Sequence, residues 1–245
     1  MITLGNTEVF GWEAAIRGMR NPMNSWDKSD SELTCAYCND CYWYDKANAD
    51  GNGTWCNHTC LRVGKNDLKL MQTLSKAGDD HGKFLRMINV TVDITAPLYW
   101  WKEFDTYKVG TVANSCSTMH KIHAKEFTMS DFSYEQLLGW SDERALIGYE
   151  EYSNSAIEVL EFVIQALNKF RELYLETKDK KYWWQMIQLL PSSYNQKRTV
   201  QLNYQVLKSM FYARKNHKLD EWLHFCDWCY TLPYFKEICG DTIGE

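Results

Sequence analysis

The chain has 245 residues, 45% of them apolar, nine cysteines and a formal net charge of −5. That length suits one large domain or a domain carrying an insert, and the acidic balance excludes non-specific nucleic-acid binding, which needs a basic surface. No apolar run reaches the ~20 residues of a membrane span and no signal peptide is recognisable, so the expectation is a cytoplasmic protein whose cysteines are reduced thiols or metal ligands rather than a disulfide framework.

Residues 8–20 read as a helix with Trp12, Ala15, Ile16 and Met19 on one face. It is ended by Asn21-Pro22, because the residue before a proline avoids the helical region. Residues 27–66 are polar, rich in Gly and Asn, and read as an insert within a single domain spanning 1–245. The insert holds Cys35, Cys38, Cys41, Cys56 and Cys60. Thiolates at such spacings suit a tetrahedral zinc with Cys35, Cys38, Cys56 and Cys60 as ligands. No standard zinc motif is matched, and free thiols in a loop are the alternative. Residues 67–77 form a second helix, stopped by Gly78.

Ile88 to Ile94 alternates apolar and polar residues, the period of a half-buried strand. Thr95 is placed to cap a helix over 96–108, with Pro97 in its first turn and Trp100, Trp101 and Phe104 along it. A polar segment with Gly110, Asn114 and Ser117 follows. Ser133 and Gln136 have capping-box spacing. The longest helix covers 154–177, with Ile157, Leu160, Ile164, Leu167 and Phe170 at helical intervals. Further helices are expected at 179–190, up to Pro191, at 199–214, with Leu202, Val206, Leu207, Met210 and Phe211 apolar, and at 219–230. The total is an α+β domain, rich in helix with a few strands.

Two blocks carry a family resemblance. From Ile94 the chain reads ITAPLYWWKEFDTYKVGTVANSCSTMH. Further on, Leu190-Pro191 is followed by Asn203 twelve residues after the proline and Arg214 eleven after the asparagine. Both blocks resemble flavin-dependent thymidylate synthases. In that family a strand leads through an Ala-Pro pair into a helix with Arg-Gln and then Arg-His-Arg, and a loop S-x-N-E-x-S-x-R follows. Ala96-Pro97 matches the pair. Lys102-Glu103 falls on Arg-Gln, and Thr106-Tyr107-Lys108 on Arg-His-Arg. With one extra loop residue, Asn114-Ser115-Cys116-Ser117 matches N-E-x-S and Met119 takes the place of the last arginine. Ile187 replaces an arginine that the family has four residues before the proline. Weaker similarity covers Arg17, Arg20 and the stretch from Ala77 to Arg86.

The resemblance implies a flavin-dependent thymidylate synthase-like fold, helix-rich with a small central sheet, and a homotetramer with sites between subunits. It implies an enzyme that uses FAD to carry a hydride from NADPH and takes the carbon from methylenetetrahydrofolate. That carbon is placed on C5 of dUMP, giving dTMP. It assigns Lys108, Tyr107, Asn203, Arg86, His81 and Lys102 to the cofactor, and Arg214, Ser117, Asn114, Ser115 and Glu103 to the nucleotide. No residue is assigned a catalytic role, and the partner is a small nucleotide rather than a polymeric nucleic acid or a membrane. The replaced arginines, whose bidentate grip on phosphate lysine does not reproduce, leave two alternatives: a flavoenzyme with another pyrimidine product, or a non-catalytic nucleotide-binding scaffold.

Plainer roles stand beside these. Arg214 near a helix C-terminus complements the helix dipole, and Ser117 and Asn114 suit turns. Lys108 suits solvent, His81 a structural position, and Tyr107 a packed aromatic. Asn203 within an apolar helix needs a hydrogen-bond partner.

Overall fold

The computed structural model describes residues 1–33, 61–148 and 153–240. Strands β1 (Thr3–Phe10), β4 (Asn89–Pro97), β5 (Val112–Ser115) and β6 (Asn195–Asn203) form one sheet in the order β1-β4-β6-β5. Strands β2 (Glu32–Leu33) and β3 (Leu61–Arg62) pair antiparallel in a second sheet, with Glu32 opposite Arg62. Along β4 the expected alternation is present: Val90, Val92, Ile94 and Ala96 are fully buried, while Thr91, Asp93 and Thr95 are half-buried.

Two compact units make up the chain. One comprises Met1–Glu8, Thr91–Leu202 and Tyr212–Trp228, the other Val9–Val90, Asn203–Phe211 and Cys229–Glu245.

In the first unit, helix α3 (Leu98–Phe104) is shorter than the helix expected over 96–108. Thr95 belongs to β4, and the cap is Pro97, whose extended backbone ends the strand. Helix α3 buries Trp100, Trp101 and Phe104, and Trp100 packs against Trp222 with ring centroids 4.7 Å apart. Helix α5 (Ala156–Thr177) opens with a capping box in which Ser155 and Glu158 satisfy each other's backbone amides. Helix α6 (Lys180–Leu189) packs back on it, capped by Asp179. Leu160, Ile164 and Leu167 of α5 meet Ile122, Phe127, Phe132 and Met186 in one core cluster. Each such burial stabilises by roughly 1.5–3 kcal/mol. No helix starts at Ser133. Its hydroxyl donates to Asn195 Oδ1 at 3.0 Å, and the capping box lies just upstream, between Thr128 and Asp131. Helix α8 (Asp220–Cys229) completes this unit up to Trp228.

The second unit holds helix α1 (Trp12–Arg20), α2 (Lys65–Lys76), most of α7 (Tyr204–Arg214) and the short α9 (Phe235–Cys239). Residues 8–10, expected as helix, are the end of β1. The switch falls at Gly11, with φ 95°, where an added Cβ would lie 2.1 Å from the Met87 carbonyl oxygen. Only glycine fits there. Trp12, Ala15, Ile16 and Met19 are buried as their spacing requires. Residues 199–203, also expected as helix, are strand β6, with Val200 and Leu202 buried between exposed Thr199 and Gln201. Asn203 ends the strand and caps α7, its Oδ1 accepting the Val206 N–H at 3.1 Å. Tyr204 stands edge-on to Trp12 and its hydroxyl donates to Pro233 O at 2.6 Å.

At the start of α2 the buried Asp67 accepts from Arg20 Nε at 2.6 Å and from the hydroxyls of Ser29 and Ser31 at 2.7 and 2.6 Å. Asp30 in turn accepts the N–H groups of Asn66 and Asp67. Residues on either side of 34–60 are thereby tied together. The candidate zinc ligands Cys35, Cys38, Cys56 and Cys60 lie outside the described residues, and among the described residues no group of three His, Cys, Asp or Glu side chains is placed to hold a metal. Among them, too, no helix is long and apolar enough to cross a membrane.

Candidate functional site

The buried side of α3 fixes what its other side presents. With Trp100, Trp101 and Phe104 inside, Lys102 is exposed and Glu103 half-buried. Glu103 Oε2 accepts from Arg214 Nη1 at 2.7 Å and from the Trp222 indole N–H at 3.0 Å, and His217 Nε2 lies 3.4 Å away. Arg214 Nε donates to the Tyr107 hydroxyl at 2.9 Å, and its guanidinium lies 4.8 Å from the Trp222 ring centroid. One carboxylate, one guanidinium, one phenol and one indole thus form a closed polar cluster in the first unit. Charge-assisted bonds of this kind are about twice as strong as neutral ones. Arginine has five donors in a rigid fork, and among the described residues Arg214 Nη2 keeps no partner.

Beside it, Arg198 on β6 donates to Asp105 Oδ1 at 2.7 Å and to Gln196 Oε1 at 3.0 Å, with its guanidinium 4.1 Å from the Trp101 ring centroid. Strand β5 lies antiparallel to β6, with Asn114 opposite Thr199 and Ser115 opposite Arg198. Gln196 Nε2 and the Lys197 carbonyl hold the main chain of Cys116. Ser117 then caps helix α4 (Thr118–Lys121), its Oγ accepting the His120 N–H at 3.1 Å. Asp93, on β4, takes hydrogen bonds from Thr199, Lys197 and Asn6, in that order of effect, which hold its carboxyl well below the usual carboxylate range.

Of the residues singled out from sequence, Glu103, Tyr107 and Arg214 come into direct contact. Asn114, Ser115 and Ser117 lie on or just after β5, and no hydrogen bond among the described residues joins them to Arg214. Lys102 and Lys108 are exposed and carry no ion pair among the described residues. Asn203, His81 and Arg86 belong to the second unit, where Asn203 is a helix cap and His81 and Arg86 are exposed. Sequence reasoning missed Trp222, His217 and Arg198. Nothing in their local pattern distinguishes them from an ordinary helix, loop and strand residue.

No protein-family model matches the chain, and no curated protein does. Solved structures do share its fold. Thymidylate synthase X (ThyX) from Helicobacter pylori, solved with FAD and dUMP, superposes with a TM-score of 0.62 at 15% identity over 100% of both chains. A second structure of that enzyme with the same two ligands gives 0.60 at 16% identity over 99% of each. The UMP/dUMP methylase PolB from Streptomyces cacaoi, bound with 5-Br dUMP, gives 0.53 at 14% identity, covering 94% of this chain and 89% of that one. At these identities the likeness establishes a ThyX-like fold.

Proposed function

We propose that the chain is a cytoplasmic flavoenzyme acting on dUMP, a homotetramer built from one thymidylate synthase-like domain per chain. It transfers a one-carbon unit from methylenetetrahydrofolate to C5 of dUMP with reduction through FAD and NADPH, giving dTMP. The observation that carries this reading is the meeting of Glu103, Tyr107 and Arg214. They come from two sequence blocks singled out independently, and they meet in a fold whose neighbours were solved with FAD and dUMP.

The residues present fit a flavin dinucleotide in charge alone: Lys102 and Lys108, exposed cations without ion-pair partners among the described residues, would meet its pyrophosphate as point charges rather than bidentate forks. When bound, the flavin supplies hydride transfer. Arg214 offers Nη2 to the nucleotide while Glu103 and Tyr107 hold its fork in one orientation, which lowers the ordering cost of binding. Trp222 walls the same cluster and donates its indole N–H to the Glu103 carboxylate. Asn114, Ser115 and Ser117 would contribute hydroxyl and amide contacts to the nucleotide. His81, Arg86 and Asn203 would approach the cofactor, and Cys35, Cys38, Cys56 and Cys60 would hold a zinc ion.

A second reading, a nucleotide-binding protein without catalysis, is favoured by the apolar Met119 and Ile187 where the resemblance has arginines. Purification decides between them. The enzyme reading requires a yellow protein, or one that turns yellow on adding FAD, and tritium release from C5-labelled dUMP. Protein that stays colourless with excess FAD sinks the enzyme reading. Flavin uptake without tritium release points to another pyrimidine product.

A further inference from the structure

The polar cluster around Arg214 leaves an ordered set of hydrogen-bonding groups unspent. Arg214 gives Nη1 to Glu103 and Nε to the Tyr107 hydroxyl. Nη2, the remaining nitrogen of the fork, keeps no partner among the described residues.

One carboxylate oxygen of Glu103 is saturated. Oε2 accepts from Arg214 Nη1 and from the Trp222 indole N–H. His217 stands at the same oxygen. Its Nδ1 accepts the Leu219 N–H at 3.2 Å, which leaves the proton of the neutral ring on Nε2, 3.4 Å from Oε2. The other oxygen, Oε1, has no hydrogen-bond partner among the described residues, and the side chain is 34% exposed, so a ligand can reach it.

Tyr107 completes the set. Its oxygen accepts from Arg214 Nε, so its own O–H proton remains to donate. Across the guanidinium, the free groups run acceptor (Glu103 Oε1), donor (Arg214 Nη2), donor (Tyr107 O–H). Both neighbours are tied to one rigid fork, which keeps Arg214 between them.

A planar ring that satisfies this order must present donor, acceptor, acceptor. Cytosine does so along one edge, with its N4 amino group, N3 and O2. Uracil presents O4, N3–H and O2 there, which sets a carbonyl against the carboxylate and an N–H against the guanidinium. Position 103 is where the resemblance has glutamine and this chain has glutamate. An amide both donates and accepts, and by turning over it serves either ring, whereas a carboxylate only accepts. Glutamate and aspartate accept from cytosine N4 in nucleic-acid recognition for the same reason.

We propose that Glu103 determines which pyrimidine the site selects, and that it selects the 4-amino ring of dCMP over the uracil ring of dUMP. This selection rests on the reading of the Arg214 cluster as the nucleotide site, and it decides which other pyrimidine that site serves. A site built on hydrogen bonds rejects a ring that leaves its polar groups unpaired. In uracil two of the three contacts are reversed; in cytosine none is.

The test is titration calorimetry of the full chain with dCMP and with dUMP, in the presence of FAD. The parent should bind dCMP about tenfold or more tightly than dUMP. Glu103→Gln should erase or reverse that preference. Tyr107→Phe, which removes a donor to the O2 that both rings share, should weaken both nucleotides and keep their ratio. Circular dichroism verifies that the variants fold, and the parent's ratio is decisive without them: dUMP bound as tightly as dCMP, or more tightly, overturns the proposal. So does a preference that survives Glu103→Gln, or one that collapses equally in Tyr107→Phe, because selection would then come from the shape of the pocket. Protein that takes up neither nucleotide overturns the nucleotide reading of the cluster and this selection together. Protein that prefers dCMP yet stays colourless with excess FAD sinks the flavoenzyme reading and upholds the role of Glu103.

Discussion

Arg214 and Glu103, separated by 111 residues in sequence, share a hydrogen bond of 2.7 Å, and the same carboxylate oxygen also takes the Trp222 N–H. The pair is partly exposed, at 18% and 34% of the side-chain surface, so its share of stability is about 1 kcal/mol. Arg214→Ala should therefore leave a folded protein with a melting temperature within a few degrees of the parent. If Arg214 holds the nucleotide, kcat/KM for tritium release from dUMP should fall about tenfold or more, equivalent to about 1.4 kcal/mol. Unchanged kcat/KM would remove Arg214 from the site.

Asp67 is the buried counterpart, a charge whose partners Arg20, Ser29 and Ser31 all lie within the fold. It is fully buried against Arg20, itself 4% exposed. Asp67→Ala leaves that guanidinium buried and unpaired, which costs about 3–5 kcal/mol. Urea unfolding followed by circular dichroism should show this loss. A loss below 1 kcal/mol would mean that water reaches Arg20 in the variant.

The same carboxylate makes the fold acid-sensitive. Burial pushes the Asp67 carboxyl up, but hydrogen bonds from Ser31, Ser29 and Arg20, with the Arg20 charge, outweigh it and leave the pKa below its ordinary value. A carboxyl with a lowered folded pKa stabilises fully above the unfolded value of about 3.9 and loses that stabilisation as pH falls through the folded one. Melting temperature should thus fall below pH 4 more steeply in the parent than in Asp67→Asn. Parallel curves would place the acid sensitivity elsewhere.

Thiol chemistry should sort the described cysteines sharply. Cys116 is exposed, whereas burial pushes the Cys226 thiol up to about 11 and the Cys239 thiol up to about 12, and Cys229 is fully buried. The thiolate is the reactive form. Iodoacetamide at neutral pH, followed by peptide mass spectrometry, should label Cys116 well before Cys226, Cys229 and Cys239. Early labelling of Cys239 would indicate that α9 opens readily.

What was legible in the sequence had strong periodicity. Strand β4 shows strict alternation, the helix around Leu160, Ile164 and Leu167 repeats at helical spacing, and both appear nearly where expected. Strand β5 was illegible because all four of its residues are exposed, so it has no buried face to imprint an alternation. The 199–203 stretch was misread because Leu202 extends the helical apolar row of α7, while its burial comes from the sheet. Ser133 has the spacing of a helix cap, yet its hydroxyl is drawn to Asn195, a partner 62 residues away that local pattern cannot reveal. In the candidate cluster, Arg214 and Glu103 are legible through family spacing. Trp222 and His217 join them through packing, and Arg198 through its place on β6.

Asp67 and Asp30 knot residues 29–31 to residues 64–67 in one fastening, built from Ser29 and Ser31 on one side and Gly64 and Asp67 on the other. All of its bonds lie outside residues 34–60. A graft that replaces residues between 33 and 61 therefore leaves every partner of the fastening in place, and with it the register of α2.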